Sequence, residues 1–194
     1  MTAISEQRWQ QAQRYEAEYW AREARNPAKL ARDIAEGHHF TAGVLNIRRT
    51  FDTSRAILDI AGGPHPLGAW LDCCSYTVLD PAEYTAWSPI QRVHEKAEGW
   101  RGGQFDEVWG YNVLQHVVDP TEVMATARAC ALETIRWFDV VETPIYPVHP
   151  HSIKADWLRA EMSKDGFRIV RDIDGSRLVE GHRQKWVALV AERT

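Results

Sequence analysis

Chemistry in this chain concentrates first in LDIAGGPHPLGAWL, residues 58–71, where an apolar run carries the acid Asp59 and then turns through Ala61, Gly62 and Gly63. A strand that ends in a glycine turn is where open α/β sheets bind ligands, at the carboxyl ends of their strands. Glycine lets the backbone approach a ligand closely and adopt positive φ without a Cβ penalty. Asp59 is a candidate to receive a cation or a hydroxyl there. Twenty-one residues further on, Asp80 followed by Pro81 closes the run YTVLD. That is about the ~20-residue spacing at which an acidic side chain meets a ribose diol in nucleotide-binding βαβ units. Two acids at this spacing frame a nucleoside.

The type of nucleoside follows from charge. A pyrophosphate is held by helix N-terminal amides after GxGxxG, but here the glycines are followed by Pro64 and Pro66, which have no N–H to donate. This disfavours a nicotinamide dinucleotide. S-adenosyl-L-methionine carries a sulfonium and an ammonium and no phosphate, so a glycine turn flanked by carboxylates suits it. The sequence here resembles the class I S-adenosylmethionine-dependent methyltransferases, in particular the small methyltransferase type-11-like group, over residues of about 56 to 170. LDIAGGPHPL is similar to that family's first glycine motif, VLDPAEY at 78–84 to its ribose-binding second strand, and FDEVWGYNVLQHVVDP at 105–120 to its fourth strand and following turn. HPHSIKADWLRAEMSKDGFRIV at 149–170 is similar to its late His-containing loop, helix and sixth strand. The resemblance implies that Ala61, Gly62 and Gly63 hold the methionine portion, Asp80 the ribose hydroxyls, and Ala97 with Glu98 the adenine edge. It implies too that Tyr111, Asn112 and Val113 flank the methyl donor, with S-adenosyl-L-homocysteine as product. Two departures stand out: Lys96 where the family often has an acid before the adenine-contacting Ala, and Cys130-Ala131-Leu132-Glu133 where it has a proline-glycine-glycine turn.

His116, just beyond the fourth strand, is the candidate catalytic residue, since an imidazole can accept a proton from an oxygen or nitrogen nucleophile. A solvated or helix-capping histidine is the alternative reading. His149 and His151, or His38 and His39, suggest a metal site only weakly, because no cysteine or carboxylate completes one; no metal is expected.

The elements that must position these residues read as alternating strands and helices. Trp9, Ala12, Tyr15, Tyr19 and Trp20 give residues 6–25 an amphipathic helical spacing. That aromatic face either packs on the core or closes over the cofactor, with Tyr15, Tyr19 and Trp20 as candidates and cation–π attraction to a sulfonium available. Strands are predicted at 56–60, 76–80, 91–95, 105–114 and 134–141. Asp119-Pro120-Thr121-Glu122 starts a helix carrying Val123, Ala127, Cys130 and Ala131. Ser152 is predicted to cap a helix with Ile153, Trp157, Leu158 and Met162 that stops at Gly166. Strands at 167–173 and 185–191, joined by a turn at Asp174-Gly175, then form an antiparallel edge. The expected fold is α/β and Rossmann-like: a mostly parallel seven-stranded sheet, helices on both faces, and an antiparallel edge strand near the C-terminus. Residues 1–50 form a helical cap or lid and 51–194 the core. Segments 26–50, 81–104 and 142–152 read as irregular and are expected to set acceptor specificity.

Composition narrows the function. A length of 194 residues with 44% hydrophobic content fits one domain. A formal net charge of -4 with scattered Lys and Arg argues against nucleic acid as a partner. Cys73, Cys74 and Cys130 form neither a disulfide framework nor CxxC metal spacing, which predicts a cytoplasmic protein. No stretch approaches the ~20 apolar residues of a membrane span, and the N-terminus does not read as a signal peptide. The expected activity is methyl transfer to an oxygen, nitrogen or carbon of a small acceptor, a sugar or other metabolite. The rival expectation is a non-catalytic S-adenosylmethionine-binding or partner-binding Rossmann-like module. Oligomeric state is open.

Overall fold

The computed structural model describes residues 2–47, 55–70, 75–82, 90–179 and 182–194. Helices α1 (Glu6–Glu23) and α2 (Pro27–Val44) lead into β1 (Ile57–Ile60), α3 (Leu67–Trp70), β2 (Tyr76–Leu79), β3 (Gln91–Val93) and β4 (Phe105–Tyr111). After these come α4 (Pro120–Cys130), β5 (Ala131–Val141), α5 (Ala155–Met162), β6 (Phe167–Val179) and β7 (His182–Arg193). The seven strands lie in the order β3-β2-β1-β4-β5-β7-β6. β1 to β5 pair in parallel, while β7 runs antiparallel to both β5 and β6. The direction of strand order reverses between β1 and β4, and a crevice opens at such a point.

Continuous burial of β1 and β2 is what a parallel sheet covered on both faces requires. On one face Leu58, Ile60, Val108, Ile135 and Trp137 pack against Val123, Met124 and Ala127 of α4 and Leu158 and Met162 of α5. On the other, Ile57, Val78, Trp109, Phe138 and Val140 pack against Ala42 of α2 and Leu67 of α3. Each such fully buried aliphatic contributes about 1.5–3 kcal/mol relative to exposure. Helix starts follow their caps. Asp119 accepts from the Thr121 N–H at 2.8 Å with Pro120 at the first position of α4, and Ser5 and Asn26 cap α1 and α2 through Arg8 and Lys29 N–H.

Several expectations are corrected. The segment read as irregular at 26–50 contains α2, eighteen residues long; Asn26-Pro27 is a start signal, and Leu30, His38, Thr41 and Ala42 are its buried positions. β4 stops at Tyr111 because Asn112 takes φ 58°. β5 begins at Ala131, whose backbone is already extended where α4 ends, so no loop intervenes. α5 is capped at Lys154 without a side-chain bond, not by Ser152. Asp174-Gly175 is no turn: β6 runs through it to Val179, and Gly175 pairs with Trp186. A Cβ on Gly175 would lie 2.0 Å from the Trp186 ring, so the glycine makes room for the indole. Cys73, Cys74 and the expected boundary near residue 50 lie outside the described residues. Among the described residues, no helix is long and apolar enough to cross a membrane.

Candidate functional site

A cleft of about 310 Å³ lies over the carboxyl ends of β1, β2 and β4, walled on its other side by α1 and α2. Its floor is built where strands end. Ala61, at φ 56°, and Asn112, at φ 58°, both leave their strands in the left-handed region, and each is tied to the next strand: Ala61 N–H donates to Leu79 O and Asn112 N–H to Phe138 O, both at 2.8 Å. For non-glycine residues this conformation costs energy, and it turns the chain sharply away from the sheet. Gly62, Gly63, Pro64 and His65 continue from Ala61 along the cleft. Gly62 cannot carry a side chain, since its Cβ would lie 2.6 Å from Asp59 Oδ2 and 3.1 Å from Pro66 Cβ.

Asp80 organises this turn. Its Oδ2 accepts the Gly63 N–H at 3.0 Å and its Oδ1 the Ala82 N–H at 2.9 Å. Burial pushes its carboxyl up to about 6, against the pull of those two N–H donors; the neighbouring Glu16 charge adds to the rise and Arg92 opposes it. Arg92 Nη1 in turn donates to Gly63 O at 3.0 Å. A carboxylate has about four lone-pair positions, so Asp80 retains acceptor capacity toward the cleft after both backbone bonds. Asp59 is placed differently from its expected role. It is 3% exposed, does not line the cleft, and accepts the Tyr76 hydroxyl beneath Gly62. Desolvation pushes it up to about 7.

Of the residues singled out from sequence, Trp20, Ala61, Gly62, Gly63, Asp80, Pro81, Ala97, Glu98, Tyr111, Asn112, Val113 and His116 all line the one cleft. Glu98 also braces the backbone: its Oε1 accepts Val118 N–H at 2.7 Å and Asp119 N–H at 3.2 Å, fixing the β4–α4 turn. Lys96, the departure beside it, bonds Glu6 at 2.5 Å and lies 4.1 Å over the Trp9 ring, so it joins α1 to the core. Tyr15 does not reach the cleft and is 40% exposed. The face of α1 that does reach it is Trp9, Gln13, Glu16, Tyr19, Trp20 and Glu23. Sequence reasoning overlooked Gln13, Glu16 and Glu23 because it followed the aromatic residues; the alternating three- and four-residue spacing of 9, 13, 16, 20 and 23 is the signal that finds them. α2 adds Lys29, Leu30, Asp33, Ile34 and Gly37, also overlooked, and His38, which the sequence had offered only as a weak metal candidate. Trp20 stands 6.0 Å from the His65 ring across the glycine turn.

His116 closes the end of the cleft beyond β4. Desolvation lowers its pKa to about 4, opposed by an acceptor on the Val148 backbone, so the ring is neutral at pH 7. Its Nδ1 makes no hydrogen bond but lies 3.5 Å from Glu16 Oε2. The His149 ring meets it edge-on at 4.7 Å, while His151 Nε2 is spent on Val117 O at 2.9 Å. Around this end α1 is held by Gln13 Nε2 to His116 O and by Arg8, which donates to Tyr146 O and Pro147 O at 2.7 Å each.

A Rossmann-like sheet with an antiparallel β7 has counterparts of the same fold among solved structures. The Burkholderia thailandensis 1,6-didemethyltoxoflavin-N1-methyltransferase, solved with 1,6-didemethyltoxoflavin and S-adenosylhomocysteine, matches 100% of this chain and 92% of its own at TM-score 0.68 and 14% identity. The chain has the class I methyltransferase fold. Magnesium protoporphyrin IX methyltransferase from Synechocystis PCC 6803, solved with SAH, shares the fold at TM-score 0.63 and 14% identity, over 81% of this chain and 83% of that one. So does the [4+2]-cyclase SpnF, at TM-score 0.66 and 12% identity, over 81% and 80%. No protein-family model and no curated protein sequence matches the chain.

Proposed function

We propose that the protein is a methyltransferase that binds S-adenosyl-L-methionine in this cleft and methylates a small acceptor, with residues 1–50 acting as a lid over the core. The observation that carries the reading is the joint placement of a glycine turn and Asp80. The turn offers no amides at Pro64 and Pro66, Asp80 has acceptor capacity to spare, and both sit at the switch in strand order beneath a cavity of ligand size. Asp80 would hold the ribose hydroxyls, Gly62 and Gly63 the methionine portion, and Ala97 the adenine edge, with Tyr111, Asn112 and Val113 beside the reacting end. The cofactor supplies a methyl group already activated as a sulfonium. The chain's own contribution is alignment and exclusion of water, and proximity with orientation supplies roughly 7–11 kcal/mol in such reactions. Neutral His116, which lines the cleft and whose Nδ1 has no hydrogen-bond partner, is the group to receive a proton from a hydroxyl or N–H acceptor. Solution in the cytoplasm fits the same reading.

Thermal unfolding with S-adenosyl-L-methionine, S-adenosyl-L-homocysteine or NADH tests the cofactor. At ~100 times its dissociation constant a ligand adds about 2.7 kcal/mol, which for a domain of this size raises Tm by about 5–10 °C. Both adenosyl compounds should do so with the wild type and not with Asp80→Ala, each compared with its own unliganded midpoint, because the substitution also frees the Gly63 and Ala82 amides. No rise with the wild type overturns the reading. A second reading, a binding module without methyl transfer, is favoured by one finding: a cyclase shares this fold, and fold alone does not set chemistry. Cofactor binding without turnover across an acceptor panel would support it.

A further inference from the structure

Among the described residues, one carboxylate in the cleft has neither an ion-pair partner nor a backbone N–H donor. Glu23 and Asp33 are both bonded by Lys29, at 3.3 and 2.8 Å, Asp80 accepts two backbone N–H groups, and Glu98 accepts two more. Glu16 alone faces a neutral side chain, the Nδ1 of His116 at 3.5 Å, and its side chain is only 23% exposed. Among the described residues, no lysine or arginine comes within ion-pair distance of it. Trp20, one turn along α1, lines the same cleft and draws the Glu16 carboxyl down against the effect of burial. Its charge reaches Asp80, at the end of β2, and helps to raise that carboxyl, and it lies 3.5 Å from His116, beyond β4. Glu16 thus lines the same cleft as Asp80, which would hold the ribose, and lies beside His116 at the end that would hold the reacting group.

We propose that Glu16, carried over the cleft by α1, is the counter-charge for the sulfonium of the bound cofactor, so that the covering helix distinguishes the methyl donor from the demethylated product. The proposal rests on the cofactor reading above. A buried carboxylate without a cation is costly, and burial holds Glu16 above the usual carboxylate range; a positive ligand beneath it removes that cost and favours the ionised form. After transfer the sulfur is a neutral thioether, the carboxylate has lost its partner, and the contact that held α1 down on the donor no longer holds it on the product. The charged and titratable groups facing Glu16 are His116 from the β4–α4 turn, with His149 behind it from the β5–α5 loop, and Asp80 from the end of β2, with Arg92 of β3 behind that. The lysines that line the cleft, Lys29 and Lys96, are engaged with Glu23, Asp33 and Glu6.

Calorimetric titration of wild type and Glu16→Gln with S-adenosyl-L-methionine and S-adenosyl-L-homocysteine tests this. The variant should bind the donor about tenfold more weakly, the scale expected for losing one partner of a charge pair in a half-buried site, and the product within about twofold of wild type. Retained product affinity also shows that the variant is folded. Equal weakening of both ligands, or of neither, overturns the proposal and leaves the cofactor reading standing; absence of binding to the wild type removes both. A measurement needing no variant serves as a second arm. Followed upward in pH from the ordinary carboxylate range, donor binding to the wild type should release more protons than product binding over part of the range, because burial raises the Glu16 carboxyl, read from titrations in buffers of different ionisation enthalpy. Asp80 contributes alike to both ligands, so an equal proton count also overturns the proposal.

Discussion

Gly110→Ala offers the sharpest test of how the core supports the cleft floor. Gly110 lies in β4 directly opposite Trp137 of β5, and a Cβ built on it would come within 2.6–2.7 Å of three carbons of that indole. Trp137 is fully buried, so its ring cannot swing into solvent. Its Nε1 donates to Asp139 Oδ2 at 3.2 Å, and the same oxygen accepts the Leu114 N–H at 3.0 Å, in the turn that carries Asn112 and Val113 along the cleft. Overpacking of this kind costs about 1–3 kcal/mol, and displacing the indole weakens a hydrogen bond worth about 1 kcal/mol. The smaller backbone entropy of the unfolded alanine chain returns about 0.4–1 kcal/mol. The net loss is about 1–3.5 kcal/mol, a fall in Tm of about 2–14 °C for a chain of this size. Urea denaturation followed by circular dichroism measures it, and a double-mutant cycle with Trp137→Phe locates it. The smaller ring should accommodate the new methyl, so the two losses should fall short of additivity by more than about 0.5 kcal/mol. A variant within about 0.5 kcal/mol of wild type, or an additive cycle, would refute the claim that the indole fills the space over Gly110.

Asp139 should give stability an uncommon pH dependence. Burial pushes its carboxyl up to about 7 from an ordinary 3.8, so the folded protein keeps a proton that the unfolded chain releases between those values, and stability falls as pH rises through the window, by up to about 4 kcal/mol. Asp139→Asn removes that slope: its advantage over wild type should grow from pH 5 to pH 8 in urea titrations, and parallel curves would count against a protonated Asp139. Ala61→Gly should stabilise, since alanine at φ 56° carries about 1–2 kcal/mol of strain that glycine does not, offset in part by greater unfolded-state entropy. A gain of about 1 kcal/mol, near 2–4 °C in Tm, is expected by scanning calorimetry, and a lower midpoint would show that the methyl group packs more favourably than the strain costs.

Much of the architecture was legible in the sequence because local rules act there without competition. Short apolar runs ending in Asp80 or in Ala61-Gly62-Gly63 have to be buried parallel strands, and Asp119-Pro120 has to begin a helix whatever surrounds it. The twelve residues that meet at the cleft were legible for a related reason: each stands at or just beyond a strand's carboxyl end or, for Trp20, on a helix stripe, and a parallel sheet delivers all such ends to one edge. Where a neighbour distant in sequence decides the outcome, the sequence was silent or misleading. Asp174-Gly175 has the chemistry of a turn, yet remains in β6 because the Trp186 indole fills the space that any side chain there would need. Asp59 has the position of a ligand contact, yet Tyr76, which comes seventeen residues later, takes its carboxylate beneath the glycine turn. Glu16 on its own is one more acid on a charged helix. Packing α1 across the cleft buries it against an imidazole with no cation among the described residues in ion-pair reach, and only tertiary structure creates that unbalanced charge, because desolvation and pairing depend on what surrounds a group in space and not on its neighbours in the chain.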